Sequence, residues 1–263
     1  MELNGQLNRQ LNSMEISLKG KVAVVTGGTR GIGYAIVRKY LEAGATVVLC
    51  GSKQSTADAA LAKIKDEMPA ADVFAIAPSL TDTFSVEDAF KRVFEKFGRF
   101  DILANNAGIS QSTPLVDYTD EEADKILDLN IKAVFICARA AAKIMKEHGG
   151  GVIVNTSSVV SIYGQPSGCL YPTSKFAVNG MTKSLARELA KYGIRVNAVA
   201  PGITRTDMVA NLPEAMIKPL IARIPMGRMC EPEDIANAFL FLSSDMASYI
   251  TGIVVPVDGA VVI

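Results

Sequence analysis

Short apolar runs rich in β-branched residues alternate with helix-length segments along most of the chain, and this alternation restricts the fold more than any other feature. Such runs are typical of strands buried on both faces, which occur in parallel sheets covered by helices. Seven runs have this character: KVAVVTGG, ATVVLCG, DVFAIAPS, DILANNAG, GVIVNTSS, IRVNAVAPG and GIVVPVDG. The pattern predicts an α/β fold: a doubly wound Rossmann-type sheet of seven parallel strands with helices on both faces.

The segments between these runs have the apolar spacing of helices. Helices are predicted at residues 31–43, 55–68, 83–97, 120–148, 171–192 and 231–244. Residues 1–18 are polar and amide-rich and lack the apolar core of a signal peptide, so we expect a flexible arm there. Residues 19–263 are predicted to form a single Rossmann-type catalytic domain.

The charge balance excludes several classes of partner. Lys and Arg together number 27, as do Asp and Glu, so no net field is available to hold nucleic acid or an anionic membrane. The four cysteines show no CxxC spacing, which indicates neither a zinc site nor a disulfide framework. We therefore expect a cytoplasmic protein with reduced thiols and no nucleic-acid or membrane partner.

The chain has one histidine, His148, in the stretch KEHGGG. That position is typical of a solvated cation at a helix end. With no second histidine, histidine-rich metal sites are excluded and no metal is expected. Acid–base chemistry in this chain must use another side chain.

A long insertion follows the sixth apolar run, and residues 203–230 of it are predicted to form a helical lid. In a parallel sheet, ligands bind outside the carboxyl ends of the strands, where such an insertion would lie. Four of its methionines fit an adaptable apolar substrate; the alternative is that they form the lid's own core. They are Met208, Met216, Met226 and Met229.

A glycine-rich turn, TGGTRGIG, joins the first predicted strand to the first helix. Gly27, Gly31 and Gly33 are spaced GxxxGxG rather than GxGxxG. Glycines at such a turn let the backbone approach a pyrophosphate at the positive end of a helix. The turn therefore predicts a dinucleotide site.

The end of the second predicted strand bears on which dinucleotide is bound. An acidic residue there binds the adenosine ribose 2′-hydroxyl and excludes a 2′-phosphate, but this chain reads LCGSKQS. Ser52 and Lys53, with Arg30 from the glycine turn, are suited to a phosphate dianion. We therefore expect NADP(H) to be preferred over NAD(H); the alternative is that both cations are solvated surface charges.

Tyr171 and Lys175 are four residues apart at a predicted helix start, so both lie on one helix face. Pro172 supports the boundary because proline is tolerated in the first helical turn. A nearby ammonium favours the phenolate, so we expect Lys175 to lower the pKa of Tyr171 and make it an acid/base. Alone, the YxxxK spacing is more often structural.

Other polar residues follow the predicted strands. Ser158 lies 13 residues before Tyr171 and ends the fifth run, where its hydroxyl can bind a substrate oxygen. The stretch NNAG at 105–108 ends the fourth run, Asn130 lies in LDLNIKAVF, and PGITRT follows the sixth run. Carboxyl ends of parallel strands share one edge, so these groups are predicted to meet.

With these motifs together, residues 19–263 resemble the short-chain dehydrogenase/reductase family. The resemblance implies that Tyr171 is the general acid/base, Lys175 lowers its pKa and holds the nicotinamide ribose, Ser158 orients the carbonyl, and Asn130 holds a relay water. It also implies a cofactor site. This site includes Ser79, at a position where many relatives have Asp. The full implied set is Gly27, Thr29, Arg30, Gly31, Ile32, Gly33, Ser52, Lys53, Ser79, Leu80, Asn106, Ala107, Gly108, Tyr171, Lys175, Pro201, Gly202, Thr204 and Thr206.

Within the family, TGGTRGIG, FAIAPSLTD and SVVSIYGQPSGCLYPTSK are most similar to bile-acid-inducible 3α-hydroxysteroid dehydrogenases. We expect a hydroxysteroid or similar apolar carbonyl substrate, although those proteins tend to prefer NAD. One alternative is a 3-oxoacyl-[acyl-carrier-protein] reductase, which needs a basic patch such as Arg139, Lys143 or Arg187. A non-catalytic NADP-binding sensor is a remote alternative. The family resemblance also implies a homotetramer.

Overall fold

Seven parallel strands form one sheet in the computed structural model, which describes residues 16–206, 218–219 and 221–261. The strand order is β3-β2-β1-β4-β5-β6-β7, so the direction of winding reverses between β1 and β4. The predicted fold class is therefore confirmed. The strands are β1 Val22–Thr26, β2 Thr46–Cys50, β3 Val73–Ile76, β4 Ile102–Asn105, β5 Gly151–Thr156, β6 Ile194–Pro201 and β7 Val254–Val257.

Helices connect the strands and cover both faces of the sheet. Within the described ranges they are α1 Gly31–Glu42, α2 Gln54–Glu67, α3 Thr83–Phe97, α4 Asp120–Leu127, α5 Ala133–Glu147, α6 Val160–Tyr163, α7 Leu170–Leu189 and α8 Pro232–Ser243. Short 3₁₀ turns lie at Leu115–Asp117, Ala190–Tyr192 and Asp245–Ala247.

Two apolar cores, one on each side of the sheet, hold these layers together. On one side α1 and α8 pack closely, with Tyr40 and Phe239 fully buried and the Tyr40 hydroxyl bonded to Ser243 at 2.6 Å. On the other side Phe90 and Met145 are buried beneath α3 and α5. Each such side chain contributes roughly 1.5–3 kcal/mol by leaving water.

The segment predicted as one helix at 120–148 is interrupted by a π-helical turn at Asp128–Lys132. The extra residue in this turn lies where Asn130 points inward, with none of its surface exposed. Single π turns inside α-helices are frequent at functional sites. The π turn is followed directly by α5, so the apolar spacing of the sequence reads as one continuous helix and does not reveal the turn.

Two further features differ from the sequence predictions. Leu18, assigned above to a flexible arm, is 1% exposed and its N–H donates to Ala43 O at 2.8 Å, so the packed structure includes it. The short helix α6 was not predicted. Residues 1–15, Met208 and Met216 lie outside the described residues; among those described, no helix is long and apolar enough to cross a bilayer.

Candidate active site

The glycine turn lies at the carboxyl end of β1, next to the point where strand order reverses. Gly27 and Gly31 have φ of +64° and +53°, the left-handed region that favours glycine. A Cβ at Gly33 would lie 2.1 Å from Gly27 O, so any side chain there would force the turn apart. The close approach of helix to turn is the geometry that the GxxxGxG spacing predicted.

The first turn of α1 presents uncapped backbone donors. Arg30 is the N-cap residue and makes no side-chain capping bond, and the first turn contains no acidic residue. Uncapped N–H groups at the positive end of a helix fit a phosphate. Thr29 and Ile32 flank these donors on the same turn.

The start of α2 repeats this arrangement at the end of β2. Lys53 is its N-cap residue, again with no side-chain cap and no acidic residue in the first turn. Ser52, Lys53 and Arg30 are exposed, and neither cation forms an ion pair with the described residues. Donors and cations at this edge have no anionic partner among the groups that the structure describes.

The turn after β4 is tied to β1 by the hydroxyl of Thr26, which accepts from the N–H groups of Asn106 at 3.0 Å and Ala107 at 3.1 Å. The Asn106 amide donates to Thr26 O and accepts from the Thr156 hydroxyl at 3.3 Å. Asn106 therefore joins three strand ends. After β3, Ser79 is exposed, with its N–H bonded to the Ser85 hydroxyl, and Leu80 is half-buried.

The loop after β6 returns to the glycine turn. Gly202 N–H donates to Val257 O, and a Cβ at Gly202 would lie 2.7 Å from the Asp258 backbone. The Thr204 hydroxyl donates to Gly202 O at 3.0 Å. A Cβ at Gly31 would meet the Thr206 methyl at 3.6 Å, so this loop and the glycine turn line one cleft. Pro201, the last residue of β6, accepts from Val159 N–H.

Ser158 lies just after the carboxyl end of β5, where its hydroxyl accepts from Val160 N–H at 3.4 Å, and it influences the ionisation of Tyr171. Burial raises the pKa of the Tyr171 phenol, and the hydrogen bond with Ser158 offsets part of that rise. The net shift of the Tyr171 pKa is therefore upward, and the lowering expected from Lys175 stays a prediction. The Lys175 ammonium lies 5.8 Å from the centre of the phenol ring, and its hydrogen bond goes elsewhere.

Lys175 is 4% exposed, and its Nζ donates to Thr156 O at 2.9 Å. Burial disfavours the ammonium and lowers the pKa of Lys175 from 10.5 to about 8. A buried ammonium with a single carbonyl partner is poorly compensated, so a ligand with further hydrogen-bond acceptors would bind here favourably.

Asn130 fastens the turn after β4 to the base of α7. Its Oδ1 accepts from Ile109 N–H at 2.9 Å, while Nδ2 donates to Ile109 O at 2.8 Å and to the Ser174 hydroxyl at 3.0 Å. A Cβ at Gly108 would lie 3.1 Å from Asn130 Oδ1 and 3.6 Å from Lys175 Nζ. The space beside these two side chains depends on glycine at 108.

The chain matches, over residues 27–261, the family model described as enoyl-(acyl carrier protein) reductase. A 3α-hydroxysteroid dehydrogenase from Mediterraneibacter gnavus is 67% identical over 247 residues, covering 94% of this chain and 99% of that protein. The chain belongs to the short-chain dehydrogenase/reductase family. A 3-oxoacyl-[acyl-carrier-protein] reductase from Thermotoga maritima is 41% identical over 247 residues, covering 94% and 99%.

The solved structure of a 7α-hydroxysteroid dehydrogenase complexed with NADH and 7-oxo glycochenodeoxycholic acid superimposes with a TM-score of 0.87 at 30% identity. The match covers 93% of this chain and 95% of that one. As a short-chain dehydrogenase/reductase, the chain is an oxidoreductase that uses a nicotinamide cofactor. The uncapped start of α1 and the side-chain-free approach at Gly33 fit a dinucleotide pyrophosphate.

Some residues that shape the reductase site were absent from the sequence predictions. Thr156 O accepts a hydrogen bond from the Lys175 ammonium, and the Ile109 main chain is hydrogen-bonded to the Asn130 side chain. Main-chain groups are the same in every residue, so such partners cannot be predicted from residue type. The role of Thr26 could have been predicted, because a hydroxyl at the end of the strand next to NNAG is suited to hold the NNAG turn. The predicted residues around Ser158, Tyr171, Lys175 and Asn130 do come together at one edge.

Several apolar side chains near Ser158 in sequence or in the predicted lid are exposed. Ile162 and Tyr163 on α6, a few residues after Ser158, are 44% and 52% exposed, and Met226 is 67% exposed. Met229, in contrast, is 1% exposed and belongs to the core. Of the two predicted lid methionines that the structure describes, one is therefore exposed and one is buried. Cys169, two residues before Tyr171, is an exposed free thiol.

Proposed function

We propose that the protein is an NADP(H)-dependent hydroxysteroid dehydrogenase that interconverts a secondary alcohol and a ketone. The observation that carries the proposal is the 67% identity to a 3α-hydroxysteroid dehydrogenase over nearly its whole length, together with the polar cluster at the end of β5. Exposed Ile162, Tyr163 and Met226 supply apolar surface for a large apolar substrate.

In the proposed mechanism Tyr171 donates a proton to the carbonyl oxygen as the alcohol forms, and accepts it back in the reverse direction. Its raised pKa keeps the phenol protonated at neutral pH, which suits reduction. The Ser158 hydroxyl orients the same substrate oxygen. The bound nicotinamide supplies or accepts the hydride.

Lys175 and Asn130 complete the proposed proton path. Lys175 binds the nicotinamide ribose hydroxyls, and its pKa of about 8 lets it release and regain a proton near neutral pH. Asn130 Oδ1 has one lone pair beyond its bond to Ile109 N–H, and this lone pair is suited to a water beside Lys175. Gly108 keeps that space open.

We propose NADP(H) rather than NAD(H) because three groups at the adenosine end favour a phosphate. Ser52 and Lys53 begin an uncapped helix, and Arg30 extends from the glycine turn. A 2′-phosphate would receive backbone donors as well as two cations. No acidic side chain lies between Leu49 and Thr56 to repel it.

The alternative, a 3-oxoacyl-[acyl-carrier-protein] reductase, has support from the 41% identical relative. It needs a free basic patch for an acidic carrier protein. Two of the three candidate cations are engaged: Lys143 pairs with Glu87 at 2.7 Å, and Arg139 lies near Glu87 and donates to the Thr83 hydroxyl at 3.1 Å. Arg187 is exposed and, unlike the other two, forms no ion pair with the described residues. This engagement favours the steroid substrate.

An NADPH-oxidation assay with a panel of substrates tests the proposal. We expect a 3-oxo bile acid to be reduced, with acetoacetyl thioester at least tenfold slower in kcat/KM, and no turnover of a crotonyl thioester, which reports enoyl reduction. A small diketone serves as a size control. Thioester reduction without steroid reduction would overturn the substrate assignment in favour of the carrier-protein reductase.

We also propose a homotetramer and a cytoplasmic location. Phe135 on α5 and Phe176 on α7 are 44% and 49% exposed, which is apolar surface on the two long helices that face outward from the sheet. The four cysteines are free thiols, consistent with a reducing compartment.

A further inference from the structure

Helix α7 carries a third polar side chain on the face that holds the reactive pair. Tyr171, Lys175 and Asn179 are spaced four residues apart, so they form one stripe along the helix. Asn179 is half-buried and lies one turn beyond Lys175. It has no part in the proton path described above.

Asn179 binds two serines that flank Ser158. Its Oδ1 accepts from the Ser157 hydroxyl at 2.6 Å, and its Nδ2 donates to the Ser161 hydroxyl at 2.8 Å. Ser161 is 2% exposed, and its hydroxyl donates a hydrogen bond to Ser158 O at 2.5 Å. Because that single hydroxyl proton is used, Ser161 must accept from Asn179, and this settles the orientation of the amide.

These bonds close a ring between α7 and the loop that follows β5. Ser158 O also accepts from Ser161 N–H at 2.9 Å, so two donors fix the peptide of Ser158. Ser158 is also the residue that lowers the pKa of Tyr171, two turns before Asn179 on α7. A buried network in which each member is satisfied holds its members in one arrangement.

We propose that Asn179 and Ser161 are positioning residues that hold the Ser158 hydroxyl against Tyr171. The proposal rests on the proposed roles of Ser158 and Tyr171. Without the ring, main-chain bonds such as those from Ser157 N–H to Val199 O and from Val159 N–H to Pro201 O would still hold the loop to β6, but no side-chain bond from Asn179 would fix its position relative to the helix. A displacement of about 1 Å between reacting groups is enough to slow an enzyme roughly 100-fold.

Steady-state kinetics of Asn179→Leu and Ser161→Ala test the proposal, with a 3-oxo bile acid and NADPH in one direction and the 3α-hydroxy acid with NADP⁺ in the other. We expect kcat for reduction to fall roughly 10- to 100-fold in Asn179→Leu and less in Ser161→Ala, with the KM for NADPH within about twofold. Alcohol oxidation needs the Tyr171 phenolate, and Ser158 lowers the pKa of Tyr171, so the pH limb on which the oxidation rate rises should move to higher pH in both variants.

Thr182→Val is the matched control. Thr182 lies on the same helix, is fully buried and accepts from Asn155 Nδ2 at 2.9 Å, so the variant loses a comparable bond to β5 without touching the Ser158 loop. We expect a lower melting temperature with kcat and the pH limb unchanged. If Asn179→Leu fails to fold, Ser161→Ala carries the test.

Two outcomes separate the possible failures. The positioning role would be overturned if the Asn179 and Ser161 variants showed the same kinetics as Thr182→Val and an unchanged pH limb. In that case Tyr171→Phe would still be inactive, and the proposed mechanism would stand. Normal turnover in Tyr171→Phe would instead overturn the proposed mechanism itself.

Discussion

The Lys175 ammonium lies 2.9 Å from Thr156 O in a site where the lysine is 4% exposed. Burial there lowers the pKa of Lys175 to about 8, which means that the charged lysine destabilises the folded protein. We attribute the retention of this residue to function rather than to folding. In the proposed mechanism that ammonium binds the ribose hydroxyls of the cofactor. Stability and activity therefore conflict at this one side chain.

The first prediction follows from that conflict. Between pH 8 and pH 10.5 the unfolded chain keeps the Lys175 proton and the folded protein does not, so stability rises with pH across this window. From pH 7.5 to 9.5 the wild type should gain about 2 kcal/mol in free energy of unfolding relative to Lys175→Met. Urea denaturation at both pH values measures it. Lys91→Met, at a surface lysine, should follow the wild type, and parallel behaviour of Lys175→Met would contradict the prediction.

Tyr171→Phe should abolish nearly all ketone reduction, because it removes the only proton that Tyr171 can donate while keeping the ring. We expect a loss of 100-fold or more in kcat. NADPH affinity, measured by fluorescence titration, should change only a few fold. Tyr192→Phe, on the turn after α7, should retain full activity; a Tyr171→Phe enzyme as active as that control would refute the acid/base role.

The sequence predicted the groups that meet at the carboxyl edge because strand ends, glycine turns and i,i+4 spacing are local patterns. It did not predict how those groups are held. The π turn at Asn130 and the bond from Lys175 to Thr156 O depend on backbone geometry, which residue types do not encode.

The Asn179 stripe shows a different kind of limit. Its i,i+4 spacing after Lys175 was present in the sequence, but an asparagine on a helix is usually solvated. Only the approach of Ser157 and Ser161 from the loop after β5 gives it partners. Likewise Leu18 looked like part of a polar arm, and its burial depends on contact with the end of α1.

Cofactor choice should respond to the end of β2. Replacing Ser52 with Asp and Lys53 with Ala removes a cation and adds a repulsive carboxylate where we place the 2′-phosphate. The ratio of kcat/KM for NADPH to that for NADH should fall roughly 10- to 100-fold, corresponding to charge-assisted bonds of about 1.5–3 kcal/mol. Lys63→Ala, further along α2, should leave the ratio unchanged. A ratio that does not move in the double variant would show that Lys53 is only a surface charge.

Assembly should depend on the long helices. We expect light scattering coupled to size exclusion to give a mass near four times 28.0 kDa for the wild type. Phe135→Glu combined with Phe176→Glu places two carboxylates on the proposed contact surface, where burying an unpaired charge costs several kcal/mol, so the mass should fall. Phe84→Glu alters an equally apolar and more exposed residue on α3, 79% exposed, and should leave the mass unchanged. A double variant that keeps the wild-type mass would exclude this face as the contact, and a 28.0 kDa wild type would exclude the tetramer.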